Sequence, residues 1–299
     1  MFFKCKGSGG ATVTIDGVEV EDDLALSTGY MDINESVSTI PYAFYRGFSV
    51  MYDGEIHILG SGDSSHYKKH YKYNGTSWTS VSTLPYSFQR GSAVVYENAI
   101  HILGGDYSGA SHYKFNGTSW ASVSTLPHDG FKQGCAVVYN NEIHIMGGND
   151  GDYTSSHYKY NGDTWEKVSS LPYVFYDGSA IVYKDELHIM GSYHSSYKQR
   201  HYKWTGTSWT SVSTLSYEFY DGSVVVFKDE IHILGSGSQT NYKDYHSKYD
   251  GTKWTTLSKL PYHFQQGSAV VKDDKINILG GANKSPYNQH YTITKNYYY

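Results

Sequence analysis

The chain has 299 residues, of which only 18% are charged, carries a net charge of −5, and holds 32 tyrosines beside 31 glycines. An aromatic-rich, charge-poor composition excludes an intrinsically disordered chain. The lack of any Lys/Arg run excludes nucleic acid as a main partner, which would need a clustered basic footprint. No stretch approaches the roughly 20 apolar residues of a membrane span, so no membrane insertion is expected.

The opening residues, Met1 to Lys6, lack the roughly 7–15-residue apolar run of a secretory signal peptide, so no secretory route is expected. Gly7 to Gly10 follow. Ala11 to Ile15, Asp16-Gly17 and Val18 to Glu21 then alternate apolar and polar side chains, the pattern of a short hairpin. An isolated hairpin is marginal in water, so residues 1–33 read as an attachment segment that docks on a partner or on the body of the protein.

The rest of the chain repeats. Ile40-Pro41-Tyr42 recurs as Leu84-Pro85-Tyr86, Leu126-Pro127-His128, Leu171-Pro172-Tyr173, Leu215-Ser216-Tyr217 and Leu260-Pro261-Tyr262, at steps of 44, 42, 45, 44 and 45 residues. Each unit holds four strand-like runs. In the second these are Ser92 to Tyr96 (strand A), Ala99 to Leu103 (B), His112 to Phe115 (C) and Trp120 to Ser124 (D). Asn116-Gly117 between C and D predicts a type I′ hairpin turn, whose two central residues both need positive φ. No helical period is visible. Four strands per unit, six times over, predict an all-β protein, a six-bladed β-propeller over residues 34–299 with blades starting near 40, 84, 126, 171, 215 and 260. The sixth unit lacks a Trp-led fourth strand, while Glu35 to Tyr42 copies Thr79 to Tyr86. Residues 34–39 should therefore supply strand D of the last blade and close the ring without an open edge. Asn34 takes the Trp position there, which predicts looser packing of that blade.

A residue present in every unit builds the unit; a catalytic group is used once. His57, His101, His144, His188 and His232 form a column in strand B, and His70, His112, His157, His201, His246 and His290 another in strand C. No carboxylate or cysteine recurs beside them at ligand spacing, so they are read as hydrogen-bonded structural residues, with no metal and no cofactor expected. Neither Cys5 nor Cys135 stands in a metal-type spacing, and Cys135 replaces a strand-A serine.

The units resemble the kelch repeat. The resemblance rests on a hydrophobic strand, then a second strand ending in Gly104-Gly105, Gly147-Gly148 or Gly280-Gly281 (Gly-Ser at 60, 191 and 235), and on the column Trp78, Trp120, Trp165, Trp209 and Trp254. It covers residues 36–299. It implies that strand A is innermost, so that the D–A loops rim the central channel, and that the protein is a binding scaffold more readily than an enzyme. Candidate ligand residues at that mouth are Tyr45 and Arg46 in the first blade, Gln89 and Arg90 in the second, and Lys132 and Gln133 in the third. Tyr176 and Asp177 follow in the fourth, Tyr220 and Asp221 in the fifth, and Gln265 and Gln266 in the sixth. Arg46 should face Asp177, and Arg90 should face Asp221. The B–C loops, on the same face, differ most between units and add Tyr67, Tyr107 and Tyr153, then Tyr193, Tyr197, Tyr242, Tyr245 and Tyr287. Variable loops on a rigid scaffold are where recognition sits.

Alternative chemistries fit less well. A galactose-oxidase-like copper site needs a cysteine beside a ligand tyrosine. Sialidase Asp boxes are not matched by Ser247 to Trp254, which has those residue types at other offsets. A kelch-type sugar epimerase using Arg and Asp at the mouth stays open. The Asn-Gly-Thr runs at Asn74 and Asn116 read as turns rather than glycan acceptors. The glycine-rich leader, Gly7 to Tyr30, resembles the adapters of bacteriophage tail and virion decoration proteins. That resemblance implies a virion protein, repeated in a larger particle, that binds a surface glycan or protein through the loop face and an assembly partner through its leader. The alternatives are a cytoplasmic protein-interaction scaffold and a sugar-modifying enzyme.

Overall fold

A computed structural model describes residues 13–15, 18–20, 31–107, 109–127, 131–149, 151–237, 243–283 and 285–296. The chain divides into two compact units, Asp32–Thr294 on one hand and Met1–Met31 with Lys295–Tyr299 on the other. In the second, Val13–Ile15 pairs antiparallel with Val18–Val20, Val13 opposite Val20, as the alternating pattern predicts. The intervening Asp16-Gly17 lies outside the described residues.

The first unit is a six-bladed β-propeller. Five blades are consecutive antiparallel sheets of four strands, and the sixth runs in the order Ser268–Lys272, Lys275–Leu279, Gln289–Asn296, Met31–Thr39. Among the described residues there is no helix. The six A strands touch in a ring: Phe48–Tyr52 meets Ser92–Tyr96, each A strand meets the next, and Ser268–Lys272 returns to Phe48–Tyr52. The hydrophobic core lies between blades. Val50, Tyr52 and Leu59 of the first pack against Ile100, Ile102, Leu84 and Phe88 of the second. Each sheet thus buries its faces against its neighbours, and the ring of A strands closes on itself.

The N-terminal strand closes the last blade as the repeat phase requires. Ile40 N–H donates to Asn288 O at 2.8 Å and Phe44 N–H to Tyr287 O at 2.9 Å. Ser38 Oγ lies 2.8 Å from His290 Nδ1 and accepts from Trp78 Nε1 at 3.0 Å. Ser82 accepts from Trp120 in the same way, so the composite blade repeats the contact made by an intact one. The Asn34 side chain, on which looser packing was expected, lies outside the described residues.

Two local expectations are corrected or sharpened. The C–D connections are not type I′ turns. Four residues separate Phe115 from its partner Trp120; only Gly117 has positive φ, at 97°, and Asn116 Oδ1 accepts from the Thr118 and Ser119 amides at 3.0 and 2.9 Å. The asparagine side chain therefore takes the Ser119 N–H, while the Asn116 N–H still donates to Ser119 O at 3.3 Å, a local competition open to Asn and Asp. The primed turns occur instead between A and B, where both central residues are left-handed without glycine in most blades: Glu97 and Asn98 at 47° and 56°, Lys184 and Asp185 at 50° and 57°. The B and C histidines meet each other. Nδ1 of the B residue lies 2.8 Å from Nε2 of the C residue at His57–His70, His101–His112, His144–His157, His188–His201 and His232–His246; in the sixth blade Asn277 Oδ1 accepts from His290. Among the described residues no three metal-ligating groups converge.

Candidate functional site

The D–A loops and B–C loops share one end of the channel. Each D–A loop drives a phenylalanine (Phe44, Phe88, Phe131, Phe175, Phe219 or Phe264) fully into the core between blades. The chain then turns sharply, because the second residue after the phenylalanine adopts a left-handed backbone. Arg46, Arg90, Gln133, Asp177, Asp221 and Gln266 have φ of 56°, 54°, 61°, 53°, 55° and 54°. This conformation is strained for non-glycine residues and persists only where the surroundings impose it. What imposes it is a closed cycle of main-chain hydrogen bonds. Arg90 N donates to Arg46 O (2.8 Å), Gln133 to Arg90 (2.7 Å), Asp177 to Gln133 (2.8 Å), Asp221 to Asp177 (2.7 Å), Gln266 to Asp221 (2.6 Å) and Arg46 back to Gln266 (2.6 Å).

The six side chains of this cycle line a cavity of about 100 Å³ at the mouth. Below it the A strands enclose about 420 Å³. The ring order places Arg46 and Arg90 opposite Asp177 and Asp221. The charges are joined through glutamine rather than directly. Gln266 Oε1 accepts from Arg46 Nε at 3.1 Å while its Nε2 donates to Asp221 Oδ2 at 3.2 Å. Gln133 Nε2 donates to Asp177 Oδ2 at 2.7 Å, and Arg90 stands 3.8 Å from Asp106 in its own blade's loop. Burial deep in the mouth pushes both ring carboxyls up, Asp221 to about 6; the neighbouring Asp221 charge adds to the rise at Asp177, and the two arginines oppose it.

The residue before each ring position falls into two classes. Tyr45, Tyr176 and Tyr220 occur where strand B ends in Gly-Ser, and the serine hydroxyl braces the loop: Ser236 Oγ accepts from Tyr220 N at 3.1 Å and donates to Glu218 O at 2.7 Å. Gln89, Lys132 and Gln265 occur where strand B ends in Gly-Gly. There the second glycine takes a φ of 99° to 115°, and its N–H reaches the next blade's phenylalanine carbonyl, as in Gly105 to Phe131 at 2.7 Å. Gln89 and Gln265 are 4% and 2% exposed and Tyr176 and Tyr220 7% and 4%, so these four candidates sit beneath the face rather than on it.

The tyrosines gather into two groups on the loop face. Tyr67 and Tyr107, from neighbouring blades, have ring centroids 5.2 Å apart and hydroxyls 3.3 Å apart; the Tyr107 hydroxyl pushes the Tyr67 phenol up to about 12. On the opposite side a file of rings crosses three blades. Tyr153 stacks on Tyr176 at 3.7 Å, Tyr176 lies 5.8 Å from Tyr193, and Tyr193 lies 5.2 Å from Tyr220, over which the Lys198 ammonium sits at 4.9 Å. Tyr107, Tyr153 and Tyr193 are 62%, 45% and 44% exposed, unusual for large aromatic side chains. Other candidates face inward: Tyr197 stacks on Tyr173, Tyr245 packs on Tyr217 and Tyr287 on Tyr262. Lys132 is half-buried. Tyr242, His128 to Gly130 and Asp150 lie outside the described residues.

No family model matches this sequence, and no curated protein matches it. Among solved structures the chain is similar to that of YjhT, with a TM-score of 0.71 over 86% of this chain and 95% of that one, at 13% identity. At that identity the likeness carries the propeller fold alone.

Proposed function

We propose that this kelch-type propeller is a non-catalytic recognition module that binds a surface glycan or protein through the face formed by its B–C and D–A loops, as a host-attachment component of a bacteriophage particle. The observation that supports binding is the tyrosine file Tyr153–Tyr176–Tyr193–Tyr220. It crosses three blades, leaves two rings exposed on loops of differing sequence, and stands on a scaffold fixed by the six-membered main-chain cycle. Aromatic rings held rigidly offer large amphipathic contact area at low entropic cost, which suits sugar faces and peptides alike. A glycan array probed with the full chain tests this reading, and mass spectrometry of purified particles tests the setting. The leader hairpin is assigned to assembly, with the chain present in several copies.

A sugar-modifying enzyme is the second reading. It is favoured by one feature, the raised pKa of Asp177 and Asp221, which would let one carboxyl act as a general acid near neutral pH. Turnover of a sugar that disappears in Asp177→Asn would establish it.

A further inference from the structure

The order of charges round the mouth is not what stability alone would select. Consecutive ring positions are each linked by one main-chain hydrogen bond, so positions three apart in the cycle face one another across the opening. An alternating ring would set every guanidinium beside a carboxylate. Instead Arg46 neighbours Arg90 and Asp177 neighbours Asp221, and a glutamine separates the two halves on each side. Like charges are adjacent and opposite charges are held across the opening. Among the described residues no ion pair joins a ring arginine to a ring aspartate. Arg46 is engaged through Nε by Gln266, and the nearest carboxylate to Arg90 is Asp106 at 3.8 Å. Both halves therefore hold unspent capacity, guanidinium donors on one side and carboxylate acceptors on the other, on a backbone that the hydrogen-bonded cycle keeps from relaxing.

We propose that the channel mouth binds a compact zwitterion, its anionic group at Arg46 and Arg90 and its cationic group at Asp177 and Asp221. The ligand would meet complementary charge on both halves of the ring at once. A ligand bearing one charge would satisfy one half and leave the other in a partly buried site. The cavity of about 100 Å³ sets the size. One water needs about 10–15 Å³ on this measure, so a group of several heavy atoms fits and a whole oligosaccharide does not. Such a group is either a free small molecule or the charged end of a larger ligand whose body lies along the tyrosines. The inference deepens the recognition reading and rests on it for the loop face being the ligand side.

The test is calorimetric titration of the full chain at pH 8, above the value to which burial raises Asp221, with β-alanine, 4-aminobutanoate and glycine betaine, using propanoate and propylamine as one-charge controls. At least one zwitterion is expected to bind in the millimolar range or tighter and at least tenfold better than either control. The double variants Arg46→Gln/Arg90→Gln and Asp177→Asn/Asp221→Asn should each weaken it at least tenfold, while Asp163→Ala, in a C–D turn on the opposite face, leaves it unchanged. Should a double variant not fold, NMR of the arginine Nε–H groups in the unaltered chain gives the same answer: two resonances move with the zwitterion and stay still with propylamine. No binding by any zwitterion, equal binding by a one-charge control, or dependence on only one half of the ring overturns the proposal. The two readings fail separately. A chain that binds β-alanine and no glycan keeps the mouth site and loses the glycan reading; one that binds a glycan with both double variants unaffected does the reverse.

Discussion

Nδ1 of His57 lies 2.8 Å from Nε2 of His70, and the two rings are 3% and 1% exposed. A bond between two ring nitrogens needs a lone pair on one of them, so it holds only while at least one imidazole of the pair is neutral. Burial, the larger effect, lowers both, His57 to about 4 and His70 to about 3.

The same depression, to about 3 or 4, is found at His101, His112, His144, His157, His188, His201 and His290. Their folded values lie below the ~6.5 of the unfolded chain, so stability is complete above that value and falls with pH below it. Nine such groups give a slope of up to about 12 kcal/mol per pH unit, against a typical total of about 5–15 kcal/mol. Circular dichroism should therefore show one cooperative acid transition between about pH 5 and 6. His101→Asn, which copies the Asn277–His290 pair of the sixth blade, should make it shallower.

Asp177 and Asp221 act in the opposite direction. Their folded pKa values are raised, so their contribution is present in acid and lost as pH rises through those values, about 6 for Asp221. Asp177→Asn should be more stable than the parent at pH 8, with the difference shrinking toward pH 5, in urea unfolding.

Closure rests on Ser38, which is bonded to both His290 and Trp78. Ser38→Ala should cost about 1–3 kcal/mol in urea unfolding. Removing residues 1–39 strips the fourth strand from the last blade and should abolish the cooperative transition. Removing residues 1–30 leaves that strand in place and should preserve it.

Gly191 has φ of 64°, and a Cβ there would stand 1.9 Å from the Phe219 carbonyl oxygen of the next blade. Gly191→Ala must separate two blades or distort the strand end. It should lower stability by about 3 kcal/mol or more, read as a shift in thermal midpoint.

Blade number, strand order and the closing strand were legible because each is written several times: Glu35 to Tyr42 repeats a phrase seen five times later. The mouth residues were legible as positions, since the D–A loops keep a constant frame around Phe44 and its equivalents. Their left-handed backbone was not, because nothing in the residue types Arg, Gln and Asp announces a φ that only the ring of neighbouring blades imposes. The glutamine bridge between Arg46 and Asp221 was hidden for the same reason; it joins residues from three blades. One signal lay in the sequence unread. Tyr45, Tyr176 and Tyr220 each precede by sixteen residues a serine in the strand-B terminus, Ser61, Ser192 and Ser236, whereas Gln89, Lys132 and Gln265 go with glycine. That covariation separates mouth positions that carry a ring from those that carry a glutamine or lysine.

The most direct measurement is a glycan array run side by side with the full chain, with Tyr153→Ala/Tyr193→Ala on the loop face, and with Asp163→Ala on the opposite, C–D turn face. Recognition through the loop face predicts that the double variant loses at least tenfold of the signal while Asp163→Ala keeps it. Undiminished signal from the double variant, or loss with Asp163→Ala alone, would contradict the account.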